Sequence, residues 1–176
     1  MKKLIITLTI MMSSLVSFSQ ALDSVFIYTT ADDMTDEVYF FASRKIVCID
    51  EVENIGFSIS FFVDQKKDGS LYASDLYVKT VNFGCIEHLE VIFLFEDATR
   101  VTCNSWNKFN CDGEAYCELS EIDKKTLASN KVTKIRVTNK QNMETYTAVL
   151  ESKKQDYFIQ FFKAIDKKDV REYEEK

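Results

Sequence analysis

The chain has 176 residues, 46% hydrophobic and 13% aromatic, a composition that excludes disorder and suits one domain with a sizeable core. Its 28 acidic residues outnumber 22 basic ones, and the net charge of −6 sets it against phosphate backbones and anionic lipid surfaces. Proline is absent and the four glycines stand singly, so no glycine-rich phosphate cradle can be written.

Residues 1–21, MKKLIITLTIMMSSLVSFSQA, have the three regions of a secretory signal peptide. Two lysines come first, then the apolar run Leu4 to Met12, then small residues at Ser17, Ser19 and Ala21. The run is too short to span a bilayer, and cleavage after Ser19 or after Ala21 is expected to leave a mature chain without a membrane anchor. The expected address is periplasmic or secreted. Residues 22–166 then read as a single β-rich domain and 167–176 as a charged, fraying tail.

Most of the mature chain alternates β-branched or aromatic residues with polar ones. Strands are expected near 25–30, 38–43, 46–49, 56–64, 71–81, 89–96, 99–105, 114–119, 132–138 and 143–150, forming an antiparallel meander in a sandwich-like or curled sheet. In the fourth, Phe57, Ile59, Phe61 and Val63 share one face while Ser58 and Ser60 share the other, as in a strand with one buried side. In 89–96 both faces are apolar, through Leu89, Val91, Phe93 and Phe95 on one side and Ile92 and Leu94 on the other. That strand is expected to be central and covered twice. Short polar links, with Asp97 and Ala98 the tightest, favour hairpins over crossovers.

Two helices are expected. Ser120 with Asp123 reads as an N-cap, with Ile122 and Leu127 as the buried side of a short helix ending near Asn130. Ser152 and Gln155 have capping-box spacing ahead of Tyr157, Phe158, Phe161, Phe162 and Ile165, whose recurrence makes one apolar helix face, expected to pack on the sheet.

An exported chain with five cysteines is expected to hold disulfides and leave one thiol over. If 99–105 and 114–119 pair as a hairpin about Asn110, Cys103 falls opposite Cys117, and a Cys103–Cys117 disulfide is expected there. Cys111 then lies in the connecting loop, within reach of Cys85, and Cys48 is the spare, in a β-run as a core thiol. Sequence leaves the connectivity open.

The metal and catalytic readings are weak. Cys85 and His88, with Glu87 and Glu90 nearby, have the Cys-x-x-His spacing, yet a structural zinc site needs four ligands and the chain has one histidine. Asp64, Asp68, Gly69, Ser70, Leu71 and Asp75 follow part of a calcium-loop template, but Lys66 occupies a ligand position and the flanks read as strands. A hairpin with an Asp-Gly turn explains the same residues. No catalytic set, cofactor motif or metal site is expected.

The stretch Gly84 to Tyr116, GCIEHLEVIFLFEDATRVTCNSWNKFNCDGEAY, resembles a set of small uncharacterised secreted proteins from Bacteroidetes. They share a Phe-x-Asp turn and a Trp-Asn-x-Phe-Asn-Cys segment. The likeness continues more faintly from Leu119 to Ile165. It implies export and a β-rich domain and supplies no catalytic residues; where relatives would carry glycine in the turn, this chain has Ala98. The expectation is a non-catalytic binding or structural module of the cell envelope, with an envelope protein or a glycan as partner and no role in nucleic-acid binding. Its candidate binding loop holds Trp106, Asn107, Asn110, Asp112 and Glu114. The alternatives are a small secreted hydrolase using that loop to cleave a sugar or peptide, and a protein inhibitor acting by strand addition or an inserted loop.

Overall fold

A computed structural model describes residues 24–32, 34, 35, 37–106 and 109–173. The expected signal peptide, its cleavage positions, Asn107 and the last residues of the tail lie outside them. The elements in chain order are β1 (Ile27–Ala31), β2 (Val38–Ala42), β3 (Ile46–Asp50), β4 (Ile55–Gln65), β5 (Leu71–Val81), β6 (Leu89–Phe95), β7 (Arg100–Asn104) and β8 (Glu114–Glu118). Then come α1 (Glu121–Ser129), β9 (Val132–Asn139), β10 (Thr145–Val149), α2 (Tyr157–Lys167) and β11 (Val170–Glu172).

The strands make two sheets, and the fold is mainly β with the second helix packed between them. A 7-stranded sheet runs β11-β1-β2-β4-β5-β8, with β3 sharing an edge of β4 beside β2, and a 4-stranded sheet runs β10-β9-β6-β7. Every pairing is antiparallel except β1 with β11. The chain leaves the large sheet after β5, builds β6 and β7 in the small one, and returns with β8 alongside β5. Alternation then sends Phe57, Ile59, Phe61, Val63, Leu76 and Val78 inward from the large sheet and Val91, Phe93, Ile135 and Val137 inward from the small one.

Helix α2 closes this core. Phe158 meets Phe61 of the large sheet edge-on at 5.9 Å and Phe93 of the small sheet at 5.2 Å, and Phe161 stacks on Phe61 at 4.6 Å. All four rings are buried, as are Tyr157 and Ile165, so the aromatic stripe is core as its spacing implies. The Tyr157 hydroxyl, kept protonated by burial, donates to the Arg44 carbonyl at 2.6 Å. The capping box does not form. Ser152–Lys154 is a separate 3-10 turn, and Gln155 donates instead to the Leu150 carbonyl at 3.0 Å. At α1 the cap is as expected, Ser120 Oγ accepting from the Asp123 amide at 3.2 Å, and Leu127 is buried, but Ile122 is 77% exposed.

Three further expectations are corrected. Strand β6 is central in the small sheet, but its outer face is not covered: Ile92 and Leu94 are half-buried, flanked by Arg100, Lys134 and Arg136 on neighbouring strands. The tail does not simply fray. Lys168 takes a left-handed backbone (φ 52°) at the end of α2, turning the chain so that Val170–Glu172 pairs in parallel with Ile27–Thr29. And β7 and β8 do not form a hairpin, since β7 pairs with β6 and β8 with β5, although a bridge of Ser105 with Cys117 brings the end of one beside the other.

That last correction changes the sulfur chemistry. Cys85 and Cys111 are bonded, which is the pairing anticipated through the connecting loop, whereas Cys103 and Cys117 are both buried and free. They do face one another, in two different sheets, and contact with the Cys117 sulfur together with burial raises the Cys103 thiol far above its usual range. Cys48 is free and half-buried against the core. A disulfide, with no helix among the described residues long and apolar enough to cross a membrane, fits an extracellular or periplasmic protein.

Candidate functional site

The outward positions of a solvated sheet face ordinarily carry polar residues, and on the large sheet many carry rings instead. Tyr28 lies opposite Phe41 and Phe41 opposite Phe62, which places one ring on each of β1, β2 and β4 in a single cross-strand row. A bulge in the β4–β5 ladder falls at Phe62, and the next ring is Tyr77, directly opposite Tyr116 of β8. The row ends on Trp106, two residues past the end of β7, whose backbone N–H donates to the Tyr116 carbonyl at 3.0 Å and so extends the β8 edge.

Ring contacts bind this row into two groups. Phe62, Tyr77 and Tyr116 lie 5.5 to 5.8 Å apart between centroids, with Trp106 at 5.8 Å from Tyr116. Tyr28, Phe41 and Tyr173 make a second group at 5.3 to 5.6 Å. Arg171 covers Phe26 beside it at 3.7 Å, a cation over a ring face. Cross-strand aromatic pairs stabilise the sheet, but that does not require exposure, and Phe62 is 43% and Trp106 62% exposed.

Polar bonds fix the rings. Tyr77 donates its hydroxyl to Glu114 Oε1 at 2.9 Å, Lys79 donates to the same oxygen at 3.1 Å, and the Tyr116 hydroxyl lies 3.4 Å from Glu114 Oε2. The hydrogen bond from Lys79, then that from Tyr77, holds the Glu114 carboxyl below its usual range, while burial and the bond to Glu114 raise the Tyr77 phenol. Trp106 Nε1 donates to Asp75 Oδ1 at 3.1 Å. A carboxylate held ionised at the centre of this network accepts hydrogen bonds and is a poor proton donor, which removes Glu114 as the raised-pKa acid that glycoside hydrolysis requires.

The expected binding loop is thus divided. Trp106 and Glu114 join the ring face. Asn110 serves the loop itself, donating to the Glu114 carbonyl at 2.9 Å and bridging to Ile86 through its backbone, next to the Cys85–Cys111 bond. Asp112 is exposed and its side chain makes no hydrogen bond or ion pair among the described residues. Gly113 allows the entry into β8: its φ is 74°, and a Cβ there would stand 2.8 Å from the Thr80 carbonyl. The zinc reading fails because Cys85 is in a disulfide, and the calcium reading because Asp68 Oδ1 is taken by the amide and hydroxyl of Ser70 in the β4–β5 hairpin.

Tyr28, Phe41, Phe62, Tyr77, Tyr116 and Asp75 were not among the expected site residues. The signal available for them was local: Phe62 interrupts the polar side that Ser58 and Ser60 begin, and Tyr77 and Tyr116 sit out of phase with the buried positions of their strands. Comparison with protein-family models, curated proteins and solved structures gave no match, so the resemblance to secreted proteins of Bacteroidetes gains no support from them.

Proposed function

We propose that the protein is an exported, non-catalytic binding module of the cell envelope whose contact surface is the aromatic face of the large sheet. The observation that carries this reading is the run of exposed and half-exposed rings from Phe62 to Trp106, immobilised by Glu114, Lys79 and Asp75. Rigid aromatic groups lose little conformational entropy on binding and supply large contact area, which is what a recognition surface needs. The Cys85–Cys111 bond and the N-terminal signal-like segment support export.

The test is sedimentation of the purified protein with the particulate envelope fraction of the cells that make it. Wild-type protein is expected to pellet with the fraction, as is Thr102→Ala, which changes the outer face of the other sheet. A Trp106→Ala/Tyr116→Ala variant, verified as folded by its thermal transition, is expected to stay in the supernatant. Equal pelleting of that variant and wild type refutes the assignment of the surface.

A further inference from the structure

We infer that the ring face takes a neutral polysaccharide, laid across the strands from β1 to β8; this rests on the reading of that face as the contact surface. Three features of the face select this ligand. The first is shape. Tyr28, Phe41, Phe62, Tyr77, Tyr116 and Trp106 follow one another along the cross-strand direction, and with about 4.8 Å between neighbouring strands the rings from β1 to β8 span about 19 Å. A long, repetitive series of similar sites suits an extended chain of similar units.

The second is the mixture of groups. A protein hot spot surrounds its aromatic anchors with contacts that exclude water. Here the positions between the rings are polar, with Ser60 opposite Tyr77 and with Asp75 one position along the same face of β5. A pyranose ring presents C–H groups on its faces and hydroxyls around its edge, so it can lie on an aromatic ring while its hydroxyls donate to fixed acceptors alongside. Asp75 offers such an acceptor: one oxygen receives the Trp106 indole, and the other carries no hydrogen bond among the described residues.

The third is charge. Asp75 stands directly opposite Glu118 on β8, two carboxylates where like charges destabilise a sheet, and the Glu118 side chain has no cationic partner among the described residues. Hydroxyl donors relieve that pair, whereas a uronate or phosphate chain adds to the repulsion. Two cations of this face are already paired, Lys79 with Glu114 and Arg171, which lies opposite Tyr28, with Asp169. The surface is therefore complementary to a hydroxyl-rich, uncharged chain and mismatched to an acidic one.

The experiment is native affinity electrophoresis of the purified protein in gels containing hydroxyethylcellulose, a mixed-linkage β-glucan, dextran, galactomannan or polygalacturonate. At least one neutral polysaccharide is expected to retard the wild-type protein and Thr102→Ala, with no retardation by polygalacturonate. Trp106→Ala and Phe62→Ala are each expected to weaken retention about tenfold, as read from mobility against polysaccharide concentration. Retardation by polygalacturonate alone, or by a neutral polysaccharide equally in wild type and both variants, overturns the inference. So does an absence of retardation by every neutral polysaccharide. If in that case Trp106→Ala/Tyr116→Ala still abolishes sedimentation with the envelope fraction, the ring face stands as the contact surface and only its ligand class is wrong.

Discussion

Replacing Phe161 by alanine tests the claim that α2 holds the two sheets together. Phe161 is fully buried, stacked on Phe61 at 4.6 Å and parallel to Tyr157 at 6.4 Å. Burying a phenylalanine removes at least about 150 Å² from water, worth about 4 kcal/mol at 25 cal/mol per Å², of which alanine retains a minor part. Loss of the ring pairings adds about 1 kcal/mol, so a net cost of about 4 kcal/mol is expected, within the range of about 3 to 5 for such substitutions. In a domain of this size that lowers Tm by about 8 to 16 °C. Urea and thermal unfolding followed by far-UV circular dichroism measure both quantities. Phe162→Ala, at a half-buried ring on the same helix, is the internal comparison and should cost less than half as much. A loss at Phe161 of no more than about 0.5 kcal/mol, the range of surface changes, would refute the reasoning.

Three further outcomes follow from features away from the helix. Cys85→Ser/Cys111→Ser opens a closed loop with sequence separation 26 and should destabilise by about 3.5 kcal/mol in urea, while wild-type protein denatured without reductant should titrate as Cys48, Cys103 and Cys117 only. A titre of all the cysteines would exclude the bond. Ala98 holds a left-handed backbone (φ 65°) in the β6–β7 turn, so Ala98→Gly should stabilise by about 1 kcal/mol; a lower Tm in that variant would contradict the strain. Glu114 is held below its usual range, so its contribution is complete above the ordinary glutamate value of about 4.3 and disappears as pH falls through the lower folded value. Stability profiles of wild type and Glu114→Gln between pH 2 and 7 should therefore diverge above that window and converge below it, and parallel profiles would show that the network adds nothing.

What the sequence discloses here is what short-range periodicity can encode. Phe57, Ile59, Phe61 and Val63 announce a strand and its buried side, and Tyr157 to Ile165 announce a helix and its face, because each pattern is complete within its own segment. Partner choice is not. Nothing between Val101 and Leu119 states that the strand bearing Cys103 pairs backward with β6 while the strand bearing Cys117 returns to β5, and a hairpin is the simplest inference from adjacency. Ile92 and Leu94 mimic a doubly covered strand because apolar residues at the centre of an exposed face read the same as buried ones. Val170–Glu172 carries no alternation, being extended by the turn at Lys168 and by its neighbour β1. The ring face is the extreme case. Its members come from β1, β2, β4, β5 and β8, where Phe62, Tyr77 and Tyr116 show only as rings on the polar side of their own strands, and they become a row only when the registers are set. Trp106 and Glu114 were legible because an indole and a carboxylate stand close together in one polar loop.

The position of α2 also sets the order in which this protein can come together. A chain emerging from its N-terminus produces every strand of both sheets except β11 before Phe158 and Phe161 exist to occupy the space between them. Until then Phe61 and Phe93 lack the rings that join them, and β1 lacks the strand that covers its outer edge, a pairing that links Ile27 to Val170. Contacts so distant in sequence are made late and slowly, because the loop they close must be ordered before they return any energy. Closure of the core between the sheets and of the outer edge of β1 therefore waits on the last two elements of the chain, and a polypeptide ending before Tyr157 is expected to show no cooperative unfolding transition.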